Sequence, residues 1–444
     1  MSPAAATPQE FPSRALIVTS DHQCESERMT STNDRAPAAA LPGDLSMARA
    51  LWPVLAASAA GLLPYTVFST FLVPIADAAG AGIAQMGGLR GLGGLASLVV
   101  GAAAAPLIDR WPREWSVAGS LGLLAVASGV GALGEFAAMA VFCFLVGAAM
   151  AVLAPALGAI AADRFDGPAA GRAATLVTAT QSLTAMLAAP VIALPAALWG
   201  WRGDLVAIAV LAAGLAAVLF RREPARRPGT GERVGYIASL RALARVPGLA
   251  PLLAVALLRT AAFMGYLSYL AAFYDTRFDL APGPFALVWT LSGASFFLGN
   301  LVVGRIANSA RPWLPPERLL LVGLLAALCA VVGVFFTSTL PAALALTALL
   351  AASHATVAAC VVTLLVRHGG TLRGSALAVN GAAMSLGTFT GSALGALGLG
   401  LAGYPGAAAV FGAITAAAVV AALLVPRALG RFRDIGEHGS PEYR

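Results

Sequence analysis

Apolar residues in this chain come in long runs separated by short polar breaks, without the three- and four-residue spacing of an amphipathic helix. A bilayer core of about 30 Å asks a helix for about 20 such residues. The pattern predicts twelve spans, at 50–78, 83–107, 115–133, 136–160, 173–199, 203–221, 249–273, 283–305, 317–337, 341–365, 374–400 and 406–426. A membrane β-barrel would instead alternate polar and apolar residues in short segments, and the chain does not. Backbone polar groups in lipid must be paired internally. The expected fold class is therefore an all-α membrane protein.

The polar breaks set the organisation. Residues 1–48 are polar, Pro/Ala-rich and lack the apolar core of a secretory signal, which predicts a disordered cytoplasmic tail. Met47 stands just before the first span, so initiation there is a further expectation. The longest break, 222–248, carries Arg222, Arg226, Arg227, Arg233, Arg241 and Arg245. It divides a first half, 49–221, from a second, 249–427, and 428–444 reads as a second cytoplasmic tail. Loops after even-numbered spans are rich in arginine. Those after odd-numbered spans hold little more than Arg202 and Arg277, beside Asp204, Asp275 and Asp279. By the positive-inside rule both termini are cytoplasmic, which requires an even number of spans. A cytoplasmic (inner) membrane location follows.

Composition agrees. The chain is 59% hydrophobic and 11% charged, where soluble domains carry about 25% charged residues. The net charge of +7 comes from arginine alone, as there is no lysine. These arginines sit in loops, where they signal topology and not nucleic-acid binding. Cys24, Cys143, Cys329 and Cys360 have no metal or redox spacing, and no cofactor is expected.

The two halves repeat. Arg110 corresponds to Arg305, 195 positions on, and Arg164 to Arg367, 203 on. Arg172 corresponds to Arg373, 201 on, and Trp201 in "GWRG" to Tyr404 in "GYPG", 203 on. Parallel six-helix repeats are the plan of one large transporter fold. The segment "PLIDRWPRE", Pro106 to Glu114, resembles the loop 2–3 signature of the major facilitator superfamily, with Asp109, Arg110 and Arg113 in register. "DRFDGPAAGRAA" in loop 4–5 and the weaker copy "LGNLVVGRIAN", which keeps Gly304 and Arg305, extend the likeness over residues 49–430. Span 4, "MAVFCFLVGAAMA", lacks the arginine often found there in the family. Span 5 keeps Pro190 and Pro195 without the accompanying glycine. The resemblance implies twelve helices in two pseudo-symmetric six-helix halves. It also implies a latch made by Asp109, Arg110, Arg113 and Arg305 that holds the halves together when the cytoplasmic side is closed.

Charges inside spans are costly and default to functional candidates. Arg259 lies in span 7, with Phe263 and Tyr266 at i+4 and i+7 on the same face. That stripe suits an anionic or aromatic solute; snorkelling to the interface is the structural alternative. Arg90 in span 2 either faces a central cavity or sits at the interface. His354 in span 10 carries an imidazole, the side chain whose ordinary titration falls near neutral pH, and is the candidate carrier of a coupling proton. Tyr65, Gln181, Asn300 and Asn380 either touch solute or hydrogen-bond between helices. Gly387, Gly391 and Gly395 read as a close-packing face.

The chain carries no zinc-protease motif, serine–histidine pattern or phosphate loop. An intramembrane enzyme, an ATP-driven pump and a non-transporting sensor are thus set against transport. The resemblance implies a monomeric, alternating-access secondary transporter of a small solute, proton-linked and exporting drugs or metabolites. Import of a small organic anion is the second reading.

Overall fold

The computed structural model describes residues 43–108, 112–165, 168–221, 248–307 and 314–437, with 241, 243, 245 and 246. The tail expected at 1–48 falls outside these residues up to Pro42, as do Asp109, Arg110 and most of 222–248.

Among the described residues every regular element is helical. Helix α1 (Asp44–Thr70) and α2 (Leu72–Ala78) fill the first expected span and break at Phe71, where φ is −104° and ψ 27°. Pro74 accounts for the break: it has no N–H for the Thr70 carbonyl and its ring crowds that oxygen. Helix α3 (Ile83–Gly88) and α4 (Arg90–Ile108) fill the second, and a turn at Leu89 separates them. Then come α5 (Arg113–Gly131), α6 (Phe136–Asp163) and α7 (Pro168–Phe220). The second half holds α8 (Leu249–Phe278), α9 (Pro282–Ala307), α10 (Pro316–Phe336), α11 (Leu340–Gly369) and α12 (Arg373–Glu437). The last helix runs past 427, where a tail was expected.

Helices α7 and α12 are each far longer than a bilayer needs, and each is kinked. Gly200 has φ 69° and ψ 174°; Gly403 has φ 63° and ψ −153°, after Ala402 at φ −141°. Glycine alone visits such angles without steric cost. Both kinks fall in the gaps expected between spans. Among the described residues, nine segments are long and apolar enough to cross a membrane, two of them 46 and 53 residues long. Helix α5, with 19 residues, is not among the nine. Arg113, Glu114, Ser116, Ser120 and Ser128 lower its hydropathy. The protein is an all-α, multi-span membrane protein. Leu194, Leu198 and Leu401 are 77%, 90% and 86% exposed, as an apolar surface facing lipid requires.

One apolar core joins Met47, Leu51 and Phe142 to Phe263–Tyr274 of α8; a second, around Leu252, Leu320 and Leu364, holds the other end of α8. The seam between α8 and α12 is made by the glycine repeat. A Cβ on Gly387 would lie 2.5 Å from the Leu257 oxygen, and one on Gly391 would collide with the Ala261 carbonyl. The sequence halves meet at two further seams. A Cβ on Gly94 of α4 would stand 2.6 Å from the Phe389 nitrogen, and one on Gly293 of α9 2.7 Å from Met186 Cα.

Candidate functional site

Between the α4–α12 seam and α8 lies a cavity of about 310 Å³. Tyr65 (α1), Arg90 and Ser97 (α4) line it from the first half; Met264 (α8), Met384 and Ser385 (α12) line it from the second. Thr260 joins Met264 because residues four apart share a helix face. Gly93 and Gly94 leave room by lacking side chains: Gly93 lies against Gly147 of α6, Gly94 against α12.

Arg90 opens α4 and turns into this space. Its Nη1 donates to Ser69 Oγ at 2.6 Å, its guanidinium stands 5.4 Å from the Tyr65 ring centre, and its Nη2 ends on Met264 Sδ at 3.9 Å. The Tyr65 hydroxyl donates to the Cys143 carbonyl at 2.9 Å, which fixes the ring under the arginine. Among the described residues no carboxylate stands within ion-pair distance of Arg90.

A second cluster lies behind Met384. Arg259, 5% exposed, points its Nη1 at His354 Nε2, 2.8 Å away. Arginine only donates, so Nε2 is the acceptor and a neutral ring carries its proton on Nδ1. His354 stacks on Phe263, with ring centres 3.9 Å apart and planes at 15°, and lies 5.9 Å from Phe296 of α9. Arg259 Nη2 reaches Met384 Sδ at 3.6 Å, and so does Asn380 Nδ2, also at 3.6 Å. Arg259 Nε and Asn380 Oδ1 are buried without a hydrogen-bond partner. Among the described residues no carboxylate pairs with Arg259 either, and no group of three or more His, Cys, Asp or Glu is placed to hold a metal.

A family model described as Major Facilitator Superfamily matches residues 54–372. The chain belongs to the Major Facilitator Superfamily. It is accordingly a membrane transport protein that moves a small solute across a lipid bilayer, and not an enzyme. No curated protein matches it in sequence. Solved structures share its fold. A bacterial homologue of the human lysosomal transporter Spinster, inward-facing and occupied, aligns at TM-score 0.65 and 16% identity over 87% of this chain and 96% of that one. A mutant of the nucleoside transporter NupG aligns at 0.71 and 13% over 84% and 99%. The human organic anion transporter MFSD10 aligns at 0.58 and 19% over 85% and 99%.

The remaining candidates scatter over this Major Facilitator Superfamily fold. Tyr266 is 1% exposed, and its hydroxyl shares Thr347 Oγ1 with Tyr274. It and Phe263 are packed within the second half and do not line the cavity. The i+4 and i+7 spacing puts them on the Arg259 side of α8, which turns towards α11, while Thr260 and Met264 turn towards the cavity. Gln181 and Asn300 are half-buried and also lie off the cavity wall. Of the latch residues, Arg113 pairs with Asp163 of α6, Arg305 is exposed, and Asp109 and Arg110 lie outside the described residues. Sequence reasoning missed Ser69, Met264 and Met384. A serine and two methionines within apolar runs carry no signal of their own in the chain.

Proposed function

We propose that this transporter carries a small organic anion by alternating access, as twelve passes in two six-helix halves, in the cytoplasmic (inner) membrane with both termini inside. The observation that carries the solute class is Arg90 in the cavity wall with no carboxylate of the described residues to neutralise it. A cation would meet a guanidinium there and no counter-charge. Twelve passes are supported by the kinks at Gly200 and Gly403, which divide two over-long helices where the sequence repeats, and by α5. The arginine-rich even loops support the orientation. Likeness to an organic anion transporter is in keeping with the solute class.

Coupling to protons is part of the proposal and falls to His354. The groups facing its ring are Arg259 and Phe263 from α8 and Phe296 from α9. While Arg259 donates to Nε2, that nitrogen has no lone pair for a proton. An anion that draws Arg259 away frees it. Solute binding and proton uptake are then favoured together.

The test is reconstitution of the purified protein in vesicles holding a pH-sensitive dye, with a panel of solutes under an imposed proton gradient. Proton flux that depends on an anion and disappears in His354→Ala is the expected result. Anion uptake without proton flux would remove His354 from the mechanism. No uptake of any anion, with flux of cations or neutral drugs, would overturn the solute class. Reversing the gradient shows the direction.

A further inference from the structure

One arginine in the cavity wall, Arg90, and one behind it, Arg259, end on methionine sulfur. Arg90 Nη2 meets Met264 Sδ at 3.9 Å from the first half, and Arg259 Nη2 meets Met384 Sδ at 3.6 Å from the second. Both methionines line the cavity. A thioether is a weak acceptor, while a hydrogen bond to an ionised partner is about twice as strong as a neutral one. Neither guanidinium has a carboxylate among the described residues, and burying a charge without an anionic partner is costly. The cluster around Arg259 is also short of partners within itself: its Nε and the Asn380 Oδ1 make no hydrogen bond. Asn380 is 7% exposed, so water does not readily make up the difference.

Methionine suits a removable cap. It is unbranched, with three rotatable bonds, and turning Met384 aside would open the cavity to Arg259 and Asn380 together. Met264 follows Arg259 by five residues on α8, which at 1.5 Å per residue is about 7.5 Å along the axis. Arg90 ends on Met264 and Arg259 on Met384, so the two guanidiniums stop at different methionines. An anion with two charged ends can meet each guanidinium where its own methionine now stands.

We propose that the solute carries two separate anionic groups, one held by Arg90 and the other by Arg259 and Asn380 after Met384 turns away. This rests on the reading of the cavity as an organic-anion site. It adds that the charges are two, that they are spaced, and that each half of the transporter contributes one arginine. Closing around such a solute draws the halves together through its ends.

The experiment is a thermal-shift and competition titration of the purified full-length protein with α,ω-dicarboxylates of three to eight carbons, the matching monocarboxylates, and inorganic phosphate. One dicarboxylate length should bind best, with a Kd about tenfold or more below that of the monocarboxylate of equal length, in line with one further charge-assisted hydrogen bond. Arg259→Gln and Arg90→Gln should each erase that preference while monocarboxylate binding persists through the other arginine. If a Gln variant fails to fold, Arg259→Lys and Arg90→Lys give the same comparison, since each keeps the charge and removes the forked pair of donors that grips a carboxylate. Equal affinity for mono- and dicarboxylates, or a preference that survives Arg259→Gln, would overturn the proposal. Tight phosphate binding that depends on one arginine alone would overturn it too, by showing a single-centre dianion. A vesicle assay with the best-binding dicarboxylate separates the two readings. Binding without transport faults the transport of this class, whereas monocarboxylate transport without dicarboxylate preference faults only the second charge.

Discussion

Replacing Arg90 by alanine should separate stability from transport. In the folded protein the side chain donates to Ser69 Oγ at 2.6 Å and lies 5.4 Å over Tyr65. A hydrogen bond from a charged group contributes about 1.5–3 kcal/mol, and a cation–π contact about 0.5–1 kcal/mol. Against that stands the cost of a guanidinium within a membrane span, about 2.5–3.5 kcal/mol on insertion scales. The two sides nearly cancel, so Arg90→Ala should change stability by no more than about 1 kcal/mol. An anion bound at Arg90 has no such offset. Losing its charge-assisted hydrogen bond costs about 1.5–3 kcal/mol, or about 10–150-fold in affinity. The assay pairs a thermal melt of the purified variant with initial-rate anion uptake in vesicles, normalised to folded protein. The expected outcome is a melt near that of the wild type and an apparent KM raised at least tenfold. A wild-type KM in well-folded Arg90→Ala would refute the electrostatic reasoning. So would a melt that collapses while the surviving molecules transport normally, since Arg90 would then be a structural residue.

Other substitutions probe the seams and the buried histidine. Gly391→Val should destabilise by about 1–3 kcal/mol or more, the usual cost of overpacking, because its Cβ would strike the Ala261 carbonyl, a backbone atom that cannot turn away. Gly374→Ala, with nothing within 4 Å, is the control, and equal melting of the two would undo the argument. Gly94→Ala places a methyl 2.6 Å from the Phe389 nitrogen across the halves; it should impair transport more than folding, measured as uptake per folded molecule. His354→Gln keeps an acceptor for Arg259 and should melt near the wild type. His354→Phe keeps the stack on Phe263 but strands Arg259 Nη1, an unpaired buried donor that costs about 1–3 kcal/mol; identical melts for the two would argue against the Arg259–His354 bond.

The all-α, multi-span character was legible because lipid imposes length and polarity directly on sequence. The kinks fall in the expected gaps at 200–202 and 401–405, where "GW" and "GY" recur at one offset and glycine alone tolerates the turn. The Gly387–Gly391–Gly395 seam was readable from spacing for a similar reason. The site was less legible. Arg90 and Arg259 stood out as charges in apolar runs, but rotation about the helix axis decides whether such a residue meets the cavity. Phe263 and Tyr266 share a face with Arg259 and turn with it towards α11, whereas Thr260 and Met264, unremarkable in sequence, turn to the cavity. Methionine is ordinary core filler in any apolar run, so nothing local marked Met264 or Met384 as the neighbours of two guanidiniums.

The central claim is that solute passes through the cavity shared by the two halves. The most direct test places one cysteine in its wall, Ser385→Cys, in a chain whose Cys24, Cys143, Cys329 and Cys360 are replaced by alanine or serine. Vesicles are treated with a membrane-impermeant thiol reagent from each side in turn. Labelling should abolish anion uptake, and saturating anion should slow the labelling. A fully labelled protein that still transports at the unlabelled rate would contradict the account.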